Sequence, residues 1–250
     1  MPISFIVFVV IGFIIVAVGA YRLGAHFSHA AKREQPEEKN SIPYDKCVAG
    51  NTSNFQYGSL TDARDGETYR TIRIGNQVWM AENLRFHAEG SFAPNNHEEN
   101  VKVYGRLYTW NSALGLPDEP PEDSTASHLD MTKQIREKNY QGIAPEGWHI
   151  PSNKEWETLM AQLKSSDEDL RSGCFWRKPG KDSLGFFALP AGYRFGNGSF
   201  LHFGDRTRFW SKDEYCGRSN AYRFGITEES MDIEGIYRSD AISVRCIQNS

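Results

Sequence analysis

The chain lacks a surplus of charge of either sign. With 28 Lys and Arg against 32 Asp and Glu, its net charge is −4 over 250 residues. Nothing is left over to neutralise a phosphate backbone, which argues against a nucleic-acid partner. Cysteine is scarce too. Cys47, Cys174, Cys216 and Cys246 stand far apart, with no CxxC pair or Cys/His cluster, so the spacing does not indicate zinc. An even number admits two disulfides, in any of three connectivities, or four separate thiols. Aliphatic bulk is thin beyond the N-terminus, because 17 of the first 21 residues are apolar while the remainder is about 35% apolar. What the body does have is rings, 28 of the chain's 32 aromatics. Such a composition excludes a disordered chain and favours one ordered, loop-rich domain over a helical bundle.

Charge is also absent from Ile3 to Tyr21, a run of 19 residues. At about 1.5 Å per residue this run nearly spans a hydrocarbon core of roughly 30 Å. Residues 1–23 therefore read as a transmembrane anchor or a signal segment. Val18 and Ala20 suit cleavage, but no basic residue precedes the run and it is long for a signal, which favours an uncleaved anchor. Arg22, Lys32 and Arg33 follow the run and pull toward a cytoplasmic orientation, whereas the paired count of cysteines pulls toward an oxidising compartment. Residues 24–58 are polar and turn-rich, as in KREQPEEKN, and read as a tether.

The domain proper is assigned to residues 59–250. YRTIRIGNQVWM (Tyr69 to Met80) alternates Arg70, Ile72 and Ile74 with Thr71 and Arg73 before Gly75-Asn76, a hairpin signal. Leu107 to Leu114 predicts a short helix ended by Gly115, with Leu107, Trp110, Ala113 and Leu114 on one face. Gly115 to Gln141, with Pro117, Pro120 and Pro121 among acids, reads as an inserted surface loop that lacks the fixed ligand spacing of a calcium site. Ser152 and Glu155 predict a capping box opening a helix whose Trp156, Leu159, Met160 and Leu163 face inward. Beyond it, FFALPAGYRF, GNGSFLHF, TRFWS, AYRFGI and AISVRCI read as antiparallel strands, with Asn197-Gly198 a hairpin turn. This order predicts an α+β fold.

Six of these segments, in order, carry a family resemblance: TDARDGETYRTIRIGNQVWMAENL, YGRLYTW, PEGWHIPSNKEWETL, ALPAGYRFGNGSF, FWS and SVRCI, spread from Thr61 to Ile247. They closely resemble the Fibrobacter succinogenes major paralogous domain. The resemblance implies a bacterial protein exported or attached to the cell surface, from a family without an established catalytic activity. It also implies a C-type-lectin-like fold with short helices and a twisted antiparallel sheet, because GWHIPSNKEW is similar to a segment of formylglycine-generating enzymes. That fold hosts many functions, so each has to be tested on residues. The oxidase type needs two cysteines five apart, and here Cys216 is followed at that spacing by Ala221. Calcium-dependent sugar binding needs Glu-Pro-Asn or Gln-Pro-Asp with a later Trp-Asn-Asp, and neither motif occurs. The family's usual cysteine before PxGWH is replaced by Ala144, which leaves Cys246 without its expected partner. Cys47 or Cys174 is the substitute the resemblance leaves, and a bond to Cys47 would tie the tether to the last strand.

WSKDEY occupies the region where such folds contact ligands, so Trp210, Asp213, Glu214 and Tyr215, with Tyr222, are the candidate ligand-binding residues. The plainer alternative is an ordinary polar loop. Trp148, Trp176, Tyr193 and Tyr237 are further rings suited to stacking on sugars, although most must serve as core. His149, between Trp148 and Ile150, reads as a hydrogen-bonded core residue, Glu155 as a capping partner and Glu157 as solvated. His87, His97, His128 and His202 have no metal-ligand spacing, and no GxSxG or glycine-rich phosphate loop is found. The sequence thus predicts no catalytic residues, no metal and no cofactor. The function expected is a binding or structural module of the bacterial cell envelope, membrane-anchored with its domain outside the cytoplasm, recognising a surface glycan or an envelope protein. The alternatives are a carbohydrate-active enzyme and an architectural subunit of a membrane complex, held through Gly12 and Gly19 of the anchor.

Overall fold

A computed structural model describes residues 44–52, 55–117, 133–163, 167–216 and 219–250. The anchor or signal segment, residues 24–43 of the tether and most of the acidic proline loop lie outside the described residues. Among those described, no helix is long and apolar enough to cross a membrane. The fold is β-rich α+β, with short helices around two curled sheets and a separate hairpin.

The chain enters through α1 (Tyr44–Thr52) and then forms β1 (Gly58–Thr61), β2 (Thr68–Ile74) and β3 (Gln77–Met80). The expected hairpin is present: Ile74 pairs with Gln77 across a turn in which Gly75 takes φ +57, a conformation costly for a residue with a Cβ. Ile72 and Ile74 are buried while Arg73 is exposed, which is the period of two expected for a half-buried strand. Next come β4 (Ser91–Phe92), α2 (Val101–Tyr104), β5 (Leu107–Tyr108) and α3 (Trp110–Leu114).

Here the expected helix over Leu107 to Leu114 is corrected. Leu107 and Tyr108 pair with Ser243 and Ile242, and only from Trp110 does the chain become helical. Thr109 caps it by accepting the Ser112 N–H, and Gly115 ends it in the left-handed region at φ 65, ψ 30.

After β6 (Trp148–His149), α4 (Asn153–Met160) opens with the anticipated capping box. Ser152 accepts the Glu155 N–H, and the Glu155 carboxylate accepts the Ser152 N–H at 2.8 Å. Trp156 and Leu159 are buried, and Met160 and Leu163 pack at the edge of the same core. The strands that follow are β7 (Tyr193–Arg194), β8 (Phe200–Leu201), β9 (Arg206–Glu214), β10 (Asn220–Thr227), β11 (Met231–Tyr237), β12 (Ile242–Ser243) and β13 (Ile247–Gln248). FFALPAGY is mostly irregular and buried rather than a strand. Its backbone is held by other groups, such as the Trp176 indole donating to the Ala188 carbonyl at 2.8 Å.

One sheet runs β1-β2-β3-β13-β6 and the other β11-β10-β9-β12-β5-β4, while β7 and β8 form the hairpin around Asn197-Gly198. Pairing is antiparallel except where β12 lies parallel to β9. The last strand, β13, is inserted between β3 and β6, so the C-terminus closes the N-terminal sheet. All six tryptophans are buried. Trp156 stacks on Phe224 with centroids 4.8 Å apart, beside Trp79 at 4.6 Å. Offset and edge-on ring packing of this kind supplies the apolar area that a body poor in aliphatics would otherwise lack.

Candidate functional site

The WSKDEY segment forms the end of β9 and the residue after it, and its residues separate into interior and surface sets. Trp210 is fully buried, with its indole N–H donated to the Tyr108 carbonyl at 2.7 Å, so no face of the ring is open to a ligand. Lys212 is buried as well and its ammonium donates to the carbonyls of Glu137 and Lys138, fastening that segment to the strand; burial holds it below the usual lysine range. Asp213 accepts the Asn153 N–H at 2.7 Å, placing a carboxylate at the first turn of α4. Glu214 pairs with Arg238 at 2.6 Å, and the Arg238 guanidinium lies 4.0 Å over the Trp110 ring. These four residues hold the sheet end together.

Tyr215 and Tyr222 do come together at the surface. Their rings meet edge to face with centroids 4.9 Å apart. Tyr222 is paired with Gly235 across β10 and β11, and the Tyr215 ring lies so close over Gly235 that a Cβ there would collide with it. Tyr237 follows two residues after Gly235 on the same strand face, opposite Asn220. It is 62% exposed, and Tyr215 is 38% exposed. A face of three tyrosines therefore closes the β10–β11 end of the sheet. Trp148, Trp176 and Tyr193, the other stacking candidates, are buried. Arg238, Gly235 and strand β11 were not anticipated, although the period-two pattern of MDIEGIY would have announced the strand.

Elsewhere, a cavity of about 550 Å³ is lined by Asp65, Glu67, Arg85, Phe86, His87 and Lys102 among others. Of its charged lining, Arg85 bonds Glu67 at 2.8 Å and also reaches Glu82, outside the lining, at 3.3 Å. His149 is a core residue as expected, its two nitrogens 2.7 Å from Asn249 Oδ1 and 2.9 Å from Glu155 Oε1. Glu157 is exposed.

The interior holds a charge network that the sequence did not announce. Arg245 is fully buried over the rings of Phe186 and Phe209, donates to Asn83 Oδ1 at 2.5 Å, and bonds the Phe186 carbonyl. Burial lowers its pKa to about 9, with Asp182 opposing that shift. Asp182 is buried at φ +45, and burial lifts its carboxyl to about 7 against the bond from the Phe187 N–H and the charges of Arg245 and Arg70. Among the described residues, no group of three or more His, Cys, Asp or Glu is placed to hold a metal ion.

A disulfide is present, but the pairing expected for Cys246 is corrected. Cys47 on α1 bonds Cys174, with Cα atoms 6.3 Å apart, while Cys246 is a buried thiol and Cys216 an exposed one. Cys246 lies in the same core cluster as Ala144.

Taken together, the sheets and their aromatic core define a β-rich α+β domain with a charged interior and a tyrosine-faced sheet end. The profile of the Fibrobacter succinogenes major domain matches residues 72–248, and the chain belongs to that family. No curated protein and no solved structure matches it.

Proposed function

We propose that this protein is a cell-envelope binding module with a C-type-lectin-like fold, held to the membrane by its apolar N-terminus and displayed outside the cytoplasm. On this reading it contacts a surface glycan, without metal, through Tyr215, Tyr222 and Tyr237. The observation that carries the reading is the distribution of rings: every tryptophan is buried, yet these three tyrosines share one surface face. Flat rings with a hydroxyl at the edge fit the apolar faces of pyranoses and still bond to their hydroxyls. The Cys47–Cys174 bond supports a location outside the reducing cytoplasm.

The test is binding of the full chain, in detergent, to a panel of bacterial and plant polysaccharides with and without chelator. The reading expects selective, chelator-resistant binding that falls about tenfold in Tyr237→Ala, the loss of roughly one stacking contact. Binding that survives in both Tyr237→Ala and Tyr215→Ala removes the tyrosine face. Binding to no polysaccharide moves the reading to an envelope protein, to be sought by crosslinking in membranes.

A further inference from the structure

On the other side of the same sheet, Arg206, Arg208 and Trp210 alternate along β9 toward one face. Opposite them in β10 stand Thr227, Gly225 and Arg223. Gly225 contributes no side chain, and the Arg223 guanidinium lies across it, beside the position that faces Arg208. Three guanidinium groups are thereby gathered on a few residues of neighbouring strands. Among the described residues, only one has its own carboxylates: Arg223 bonds Asp232 and, at 2.9 Å, Glu234.

Arg208 makes no ion pair with these acids. It stacks 3.8 Å over the Tyr193 ring, whose ring also stacks with His202 at 5.5 Å. A further carboxylate, Asp240, accepts the Gly196 N–H and acts on Arg208 through its field. Burial lowers the Arg208 pKa, opposed by Tyr193 and reinforced by the charges of Arg223 and Arg206. The Nε–H groups of Arg206, Arg208 and Arg223 are buried with no acceptor among the described residues. Buried charged donors without acceptors are rare and costly, and like charges side by side add to that cost. Arg206 and Arg208 nevertheless remain half-buried, so the cluster is open to solvent.

We propose that the Arg206–Arg208 cluster is a binding site for an oxyanion, a carboxylate, sulfate or phosphate group presented by a ligand from solution. Planar guanidinium forks are matched to the oxygens of such groups, and an anion there supplies Arg206 and Arg208 with the counter-charge that Asp232 and Glu234 give to Arg223. The site stands on geometry independent of the tyrosine face and does not require the glycan reading.

The test uses the full chain and three probes, inorganic phosphate, inorganic sulfate and D-galacturonate, with chloride at matched ionic strength as control. An anion that binds the folded state alone raises the melting temperature, by a few degrees at about 20 mM if the Kd is near 1 mM. The proposal expects that rise and expects Arg208→Gln to weaken binding about ten- to a hundredfold, as for loss of a charged hydrogen bond. The best probe among the three identifies whether the source is a free ion or a sugar acid. Arg206→Gln decides the matter if Arg208→Gln does not fold. No rise above the chloride control with any probe, or undiminished binding in the folded variant, overturns the site.

Discussion

Asp182 is a residue whose environment changes its chemistry. Its left-handed backbone is a conformation that Asn also tolerates, and its Oδ1 accepts the Phe187 N–H at 2.8 Å. Burial, only partly offset by that bond and by Arg245 and Arg70, raises its pKa from 3.8 to about 7. Between those two values the folded chain holds a proton that the unfolded chain has lost. Stability from this group is therefore complete below the unfolded value and declines as pH rises through about 7. We expect Asp182→Asn to keep the Phe187 bond and to flatten that decline. The difference between wild-type and variant stabilities, measured by urea unfolding at several pH values, should change by no more than about 4 kcal/mol across the window. A difference independent of pH would mean that Asp182 ionises normally in the folded chain. Nothing in the local sequence KDSLGFF marks this behaviour, because it comes from enclosure by the core, against which Arg245, more than sixty residues away, and Arg70 pull.

Among the elements, α4 was legible because its signals are local. Ser152 and Glu155 lie three apart and satisfy one another's backbone donors, and Trp156 and Leu159 repeat with helical period. Ser152→Ala should lower stability by about 1 kcal/mol and leave ligand binding unchanged, since the box supports the first turn and does not touch the tyrosine face. Equal stability of variant and wild type, by denaturant midpoint at unchanged slope, would show that the cap is redundant with the Asp213 carboxylate at Asn153. The hairpins at Gly75 and Gly198 were legible for the same reason, with turn chemistry fixed within four residues. Leu107-Tyr108 was not, because helical spacing there yields to pairing with Ile242-Ser243, a partner far along the chain. The candidate site was half legible. Tyr215, Tyr222 and Tyr237 were each named, but their juxtaposition depends on Gly235 making room, and Trp210, marked by the same motif, went to the core instead.

At the scale of the whole molecule, the first and last described elements are fastened to the middle of the domain by different means. The C-terminal β13 is fastened by pairing to β3 and β6, and α1 by covalent and polar contacts. Cys47 is bonded to Cys174 across 127 residues, and the Tyr44 hydroxyl donates to Glu82 at 2.9 Å. Burial, with Glu82 adding to it, raises the Tyr44 pKa to about 12, so this bond persists across the physiological range. Closing so long a loop limits the unfolded ensemble, and the chain-entropy estimate for its loss is about 5 kcal/mol. The double variant Cys47→Ala with Cys174→Ala should therefore melt roughly 10–20 °C below wild type. Thiol labelling separates the bond from the remaining cysteines. In the native, non-reduced chain the exposed Cys216 reacts, whereas Cys246 is enclosed, its thiol pushed well above the usual range by burial, and reacts only on unfolding. Rapid native labelling of Cys47 would contradict the bond directly. An unchanged melting temperature in the double variant would instead mean that α1 is held by Glu82 and ring contacts alone, and that the domain's stability does not depend on an oxidising compartment.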